Sequence, residues 1–122
     1  MKTILVVDDS RIMRNLVKNT FAELKIPCNY LEAENGEKAY QLLEANQVSL
    51  ILLDWNMPEM DGMQFLKKVR AMPNYKDLPI IMVTSESAKY NVVEALQCGA
   101  TDYIVKPIRD KLFMEKISEI QF

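Results

Sequence analysis

The segment Val48-Ser-Leu-Ile-Leu-Leu53, which Asp54 follows directly, decides the fold of this chain. Its run of large aliphatic residues predicts a strand that is buried on both faces, as strands in a parallel sheet are. Near the amino terminus, Thr3-Ile-Leu-Val-Val7 runs in the same way into Asp8 and Asp9. Carboxylates that are brought together raise one another's pKa unless a cation lies between them. The repeated pattern therefore favours a site for Mg2+, a hard cation that takes oxygen ligands.

The length and composition of the chain fit one globular domain. At 122 residues we expect a single domain, residues 1–122, with a hydrophobic core of its own. The net charge of −2 gives no electrostatic case for direct binding to nucleic acid. Because the sequence contains no histidine, catalysis, phosphorylation and metal ligation by histidine are excluded in this chain.

The sequence gives no sign of a membrane or secretory segment. After Met1 and Lys2, the first apolar stretch is only Ile4 to Val7, which is too short for a signal peptide or a membrane span. Cys28 and Cys98 lack the spacing of a metal site, and we interpret them as small, partly buried hydrophobic residues in a reducing compartment. We therefore expect a cytoplasmic protein.

Strand-like and helix-like segments alternate along the chain, which predicts an α/β fold with a parallel sheet. Ser10 and Asp61 are suited to cap the first and third helices, and Leu16 is expected on the inner face of the first helix. Right-handed crossovers would place helices on both faces of the sheet. The expected strands lie near residues 3–7, 28–33, 48–53, 80–83 and 103–105.

Five polar side chains fall at the carboxyl ends of predicted strands, where sheets of this kind bind ligands. They are Asp8, Asp9, Asp54, Thr84 and Lys106. Asp54 is a candidate nucleophile, because carboxylates can form aspartyl phosphates. Mg2+ held by the acids, together with the ammonium of Lys106, would neutralise charge on an incoming phosphoryl group, and Thr84 could donate a hydrogen bond to one of its oxygens. Taken singly, each residue also fits a helix cap, a strand-end hydroxyl or a solvated lysine, but five such coincidences would have to converge by accident.

The motifs around these residues resemble the receiver domain of two-component response regulators. The resemblance implies a doubly wound, flavodoxin-like (βα)5 sandwich of three layers, with a five-stranded parallel sheet in the order 2-1-3-4-5. Within the family, the motifs look most like those of the single-domain chemotaxis regulators. The matching motifs are Val-Val-Asp8-Asp9-Ser10, Leu-Leu-Asp54-Trp-Asn-Met-Pro58-Glu-Met-Asp61-Gly62, Val-Thr84-Ser85 and Lys106-Pro107.

The resemblance also implies roles for the residues of the site. A partner histidine kinase would donate a phosphoryl group to Asp54. Asp9, Asp54 and the backbone carbonyl of Asn56 would ligate Mg2+, with Asp8 acting through water. The protein would then be a signalling switch with self-catalysed phosphotransfer and dephosphorylation, and not an ordinary enzyme.

The output of such a switch is expected at the surface made by helix 4, strand 5 and helix 5. Thr84 and Tyr103 would relay the change to this surface, where a target protein binds the phosphorylated form. The candidate contacts for that protein are Lys89, Tyr90, Tyr103 and Lys116. We expect no effector domain after Phe122, so the output would come through partner binding, and we expect a monomer. Ile108 and Arg109 depart from the family pattern near this surface and leave the identity of the partner open.

The residues leave several other functions open. A phosphatase with a nucleophilic aspartate would need a second acid to protonate the leaving group, and Asn56 stands at that position. A flavodoxin-like redox carrier would need its first loop to hold a flavin phosphate, which Asp8 and Asp9 would repel. Among receiver domains, a phosphorelay intermediate and a receiver fragment of a larger regulator are alternatives to a chemotaxis regulator.

The loop after the last strand carries one further prediction. It must turn sharply while it directs the ammonium of Lys106 towards Asp54. Only X-Pro bonds adopt the cis form easily, at a cost of about 0.5–1 kcal/mol over trans. We therefore predict a cis peptide bond between Lys106 and Pro107.

Overall fold

The structure is a computed structural model that describes residues 1–120, so the last two residues of the expected domain, Gln121 and Phe122, lie outside the described residues. Within residues 1–120, five strands alternate with five α-helices, as the sequence predicts. No helix in this part of the chain is long and apolar enough to cross a bilayer. The strands are β1 (Lys2–Val7), β2 (Cys28–Ala33), β3 (Leu50–Leu53), β4 (Ile80–Thr84) and β5 (Asp102–Val105). The helices are α1 (Arg11–Ala22), α2 (Gly36–Ala45), α3 (Gly62–Arg70), α4 (Lys89–Gln97) and α5 (Asp110–Ser118), and a short 3-10 turn, Pro73–Tyr75, precedes β4.

All strand pairs are parallel, and the order β2-β1-β3-β4-β5 confirms the predicted topology. Val7 and Leu53 are register partners at the ends of β1 and β3. The backbone N–H of Asp54 donates to the carbonyl of Val7 at 2.9 Å. Thr84 pairs in the same way with Val105 at the ends of β4 and β5. The residues that follow these pairs therefore meet at one edge of the sheet, at the switch point where doubly wound sheets bind ligands.

Helices cover both faces of the sheet, which explains why β3 is wholly apolar. Each of its four side chains is at most 2% exposed. One face of the sheet packs against α1 and α5, with Phe21 and Phe113 in that layer. The other face packs against α2, α3 and α4, with Phe65 and Val69 in that layer. Burial of each such side chain stabilises the fold by roughly 1.5–3 kcal/mol, so the strand ends are held on a closely packed platform.

The first three helices begin at side-chain caps, and the last two do not. Ser10, Asn35 and Asp61 each accept a hydrogen bond from a backbone N–H in the first turn of α1, α2 and α3. The caps predicted at Ser10 and Asp61 are thus confirmed. Ala88 and Arg109, the residues that precede α4 and α5, make no side-chain cap.

The inner face of α1 differs from the prediction at Leu16. This side chain is 43% exposed, whereas the buried face of the helix consists of Val17, Thr20 and Phe21. Apolar residues occupy more of the surface of α1 than the sheet covers. The sequence pattern alone therefore does not determine which of these residues are buried.

Candidate functional site

Three carboxylates meet at the carboxyl edge of the sheet. Asp8 and Asp9 follow β1, and Asp54 follows β3. Each offers an oxygen that lies within 4.8 Å of the oxygens offered by the other two. Asp8 is 4% exposed and Asp54 is 5% exposed, whereas Asp9 is open to solvent. The structure thus brings together the three acids singled out from the sequence, with two of them buried.

Lys106 joins this group from the end of β5. Its Nζ lies 2.7 Å from Oδ2 of Asp8 and 3.3 Å from Oδ2 of Asp54. Burial by itself lowers the pKa of the ammonium, but the hydrogen bonds and charges of the two aspartates outweigh burial and raise the pKa above its ordinary value. Lys106 is therefore held as a cation beside the acids. The peptide bond between Lys106 and Pro107 is cis, as predicted.

The protein compensates the charge of the buried Asp54 only in part. Burial is the largest cause that raises the pKa of its carboxyl, and the charge of Asp8 adds to this effect, while Thr84 and Lys106 act in the opposite direction. Its Oδ1 is buried and has no hydrogen-bond partner within residues 1–120. A buried carboxylate oxygen without a partner is unfavourable. Its position therefore points to a ligand at this oxygen.

The three carboxylates differ in what they leave free for a cation. Asp8 uses both oxygens, because Oδ1 accepts from the backbone N–H of Ser10 at 2.9 Å and Oδ2 accepts from Lys106 at 2.7 Å. Asp54 keeps Oδ1 free, and Asp9 faces solvent. These oxygen donors fit a hard divalent cation. Asp9 and Asp54 are suited to direct contact with it, and Asp8 is better suited to an indirect one.

The loop between β3 and α3 forms the open side of the site. A cavity of about 520 Å3 lies there, lined by Asp9, Asn56, Met57, Pro58 and Asp61. The side-chain amide of Asn56 donates to Oε1 of Glu86 at 2.9 Å. This contact links the loop after β3 to the loop after β4. The acids can therefore be reached from solvent past this cavity.

Thr84 and Tyr103, the predicted switch pair, are both buried and meet at the loop after β4. The N–H of Glu86 donates to Oγ1 of Thr84 at 3.4 Å, and the hydroxyl of Tyr103 donates to the carbonyl of Glu86 at 2.6 Å. Burial, with smaller effects from the charges of Glu86 and Asp54, raises the pKa of Tyr103 to about 12. The phenol thus remains a hydrogen-bond donor at neutral pH, and its ring occupies an inward position.

The four predicted partner contacts differ in accessibility. Lys89 and Tyr90 lie at the start of α4 and are exposed, Tyr90 by 75%. Lys116 on α5 is partly exposed and forms an ion pair with Asp102 at 3.0 Å. Tyr103 is only 6% exposed, because its ring packs in the layer beneath α2, α3 and α4. In this arrangement Tyr103 offers a partner little surface, which differs from its expected place among the surface contacts.

One contact at the site was not predicted from the motifs. Nη1 of Arg14 donates to the backbone carbonyl of Asp8 at 2.6 Å, and Nε of Arg14 donates to Oε1 of Glu32 at 3.0 Å. The sequence feature that bears on this contact is the spacing of Arg14 and Lys18, which lie four residues apart and so share one face of α1. Whether that face reaches Asp8 depends on how α1 crosses the sheet, which the sequence does not reveal.

Comparison with known proteins identifies the family. The sequence pattern of the response regulator receiver domain matches residues 4–118. A chemotaxis protein CheY homolog of Campylobacter jejuni is 48% identical over 118 residues, which cover 96% of this chain and 90% of that protein. Chemotaxis protein CheY1 of Helicobacter pylori is 46% identical over 118 residues, which cover 96% of this chain and 94% of that protein. The chain therefore belongs to the response regulator receiver domain family.

Solved structures agree with this assignment. The structure of Vibrio cholerae chemotaxis protein CheY4 superposes with a TM-score of 0.88 at 30% identity, and the match covers 99% of each chain. The Mn(2+)-bound form of response regulator Rcp1 superposes with a TM-score of 0.84 and covers 98% of this chain and 91% of that one. At 24% identity, the second likeness shows the fold alone. The predicted resemblance and fold class are confirmed.

Proposed function

We propose that this receiver domain is a phosphorylation-regulated switch that accepts a phosphoryl group on Asp54 and acts in chemotaxis. The observation that carries the proposal is the unpartnered, buried Oδ1 of Asp54, which lies beside the Lys106 ammonium and two further acids. A carboxylate held in this way has a free oxygen and a neighbouring cation, which are the requirements for attack on a phosphoryl group.

The proposed transfer forms one bond and breaks another. A carboxylate oxygen of Asp54 forms a bond to the phosphorus of a phosphohistidine in a partner kinase. The phosphorus–nitrogen bond breaks, and its electron pair stays on the imidazole nitrogen of the donor. Lys106, 3.3 Å from Asp54, is placed to stabilise the negative charge on the phosphoryl oxygens. Thr84, buried at the end of the neighbouring strand, is placed to donate its hydroxyl to one of them.

The residues that would hold Mg2+ are Asp9, Asp54 and the backbone carbonyl of Asn56, with Asp8 in indirect contact. This assignment is supported by the grouping of the three acids and by the hydrogen bonds that already occupy both oxygens of Asp8. When bound, Mg2+ supplies positive charge that offsets the charge of the acids and of the phosphoryl group.

A role in chemotaxis is supported by the two curated relatives, both of which are chemotaxis proteins that match this chain over more than nine-tenths of its length. The partners would be a histidine kinase and a target protein that binds the surface made by α4, β5 and α5. We place the protein in the cytoplasm, in keeping with its free Cys28 and Cys98. A phosphatase activity is disfavoured, because the side-chain amide of Asn56 cannot protonate a leaving group. This amide also donates a hydrogen bond to Glu86.

The proposal is tested by labelling with a small-molecule phosphodonor and Mg2+, followed by intact mass measurement. The wild-type protein is expected to gain one phosphoryl group, and Asp54→Asn is expected to gain none, because an amide oxygen is a poor nucleophile. Asp61→Asn is the matched control. It alters an acid that lines the same cavity, yet it preserves the cap of α3, so it should still label. Labelling of Asp54→Asn to the wild-type extent would contradict the proposal.

A further inference from the structure

Arg14 connects the acid loop to the edge strand of the sheet. Its side chain is only 12% exposed. Nη1 donates to the carbonyl of Asp8 at 2.6 Å, while Nε is fixed by Glu32 of β2 at 3.0 Å. Lys18, one turn further along α1, holds the other oxygen of Glu32 at 2.9 Å. Arg14 is thus the member of this ion-pair group that reaches the functional site.

The carbonyl that Arg14 holds belongs to the peptide unit joining Asp8 to Asp9. A peptide unit is planar, so fixing its carbonyl also fixes the N–H and the Cα of the next residue. The remaining groups of Asp8 are fixed from other directions, because its N–H donates to Ala33 at 3.0 Å and its carboxylate contacts Lys106. The side chain of Asp9 is exposed. The orientation of this peptide plane therefore determines the direction in which the Asp9 carboxylate projects.

We infer that Arg14, anchored by Glu32, is a positioning residue that sets the Asp8–Asp9 peptide so that the carboxylate of Asp9 joins that of Asp54 at the cation site. The inference rests on the proposed function, since it concerns the Mg2+ ligands named there. Groups that orient metal ligands in this way commonly change metal affinity by 10- to 100-fold when they are removed.

Charge and positioning predict opposite results when Arg14 is removed. The positive charge of Arg14 beside the site repels Mg2+, so loss of that charge alone would tighten Mg2+ binding. Loss of the hydrogen bond to Asp8 would instead release the peptide plane and weaken binding. The sign of the change in Mg2+ affinity therefore separates the two effects.

The experiment is a Mg2+ titration by isothermal calorimetry, with the fluorescence of Trp55 as a second signal. Arg14→Met is expected to raise the dissociation constant by about 10-fold. Arg14→Lys keeps the charge but cannot bridge Asp8 and Glu32 with a fork of donors, so a several-fold loss of affinity is expected. Lys18→Met is the matched control: it removes an equal charge and an ion pair to the same Glu32 but no contact with Asp8, and it should stay within about twofold of the wild type.

Thermal unfolding of each variant distinguishes positioning from a purely structural role, which would lower the melting temperature while leaving the Mg2+ dissociation constant unchanged. An unchanged or tighter constant in both Arg14 variants overturns the inference and leaves the proposed function intact. If Arg14→Met does not fold, Arg14→Lys decides the question. Absence of Mg2+ binding by the wild-type protein would overturn both the metal assignment and this inference.

Discussion

At the scale of single residues, Gly62 sets how closely α3 can approach the backbone at Asp54. A Cβ placed on Gly62 would lie 2.1 Å from the carbonyl oxygen of Asp54 and 2.8 Å from the Cα of Trp55. The N–H of Gly62 also donates to the carbonyl of Trp55 at 2.8 Å. Because the obstructing atoms belong to backbone, they cannot move aside as the end of a side chain could. The absence of a side chain here is thus a condition for the position of Asp54.

We predict that Gly62→Ala lowers the free energy of unfolding by about 2 kcal/mol or more, through forced displacement of the backbone. It should also slow phosphorylation of Asp54. Gly36→Ala is the control, since the atoms nearest to its Cβ belong to the side chain of Met60, the closest at 2.9 Å, and not to backbone; it should change stability by less than about 1 kcal/mol. Urea unfolding of both variants measures the difference, and equal losses would refute this account of Gly62.

The sequence predicts some of these residues better than others. Asp54 and Lys106 are found from the sequence because each follows a short apolar strand, and parallel strands end at one edge. The contact of Arg14 with Asp8 is not predicted, because it depends on the angle at which α1 crosses the sheet. The hydrogen bond from Tyr103 to the Glu86 carbonyl, which holds the ring inward, also escapes prediction, since no sequence pattern specifies it.

At the scale of elements, the two uncapped helices are those that build the expected output surface. α1, α2 and α3 begin at oxygen-bearing caps, whereas α4 begins after Ala88 and α5 after Arg109. Without a side-chain cap, the first N–H groups of a helix rely on 3-10 bonds, such as that from Asn91 to the carbonyl of Ala88 at 2.9 Å, or on water, which lowers the local stability of the first turn. We therefore expect the starts of α4 and α5 to open more readily than the start of α1.

A cap can be added to α4. Ala88 already has the extended backbone of a cap residue, with φ of −61° and ψ of 133°. Ala88→Ser should therefore raise the free energy of unfolding by about 0.5–1 kcal/mol, because the serine oxygen can accept an N–H in the first turn. Hydrogen exchange should slow at the start of α4 and not at the start of α1. Unchanged exchange at α4 would count against the account of its uncapped end.

At the scale of the whole molecule, the site and the expected output surface are joined on one side of the sheet. Glu86 accepts from Asn56 at the mouth of the site and from Tyr103 beneath α4, and its own N–H contacts Thr84. Under the proposed function, the switch samples more than one arrangement and the phosphoryl group changes their populations. A partner that binds one of these arrangements more tightly would by reciprocity favour the phosphorylation state that populates it.

We predict that a phosphoryl analogue slows hydrogen exchange in the loop after β4 and at the start of α4 in the wild-type protein. Thr84→Ala should reduce this protection several-fold, because the buried hydroxyl that would contact the phosphoryl group is missing. Ser85→Ala removes the neighbouring, exposed hydroxyl and should leave the protection unchanged. Equal protection in Thr84→Ala and the wild type would exclude Thr84 from the relay.

The ion pair between Lys106 and Asp8 joins residues 98 positions apart in the chain. During synthesis, Asp8 leaves the ribosome early and Lys106 among the last residues of the sheet, so the site cannot be completed while the chain is still growing through β4. Under the proposed mechanism, a nascent or truncated chain therefore cannot respond to a kinase. Signalling then becomes possible only once the fold is complete, and incompletely synthesised chains do not signal.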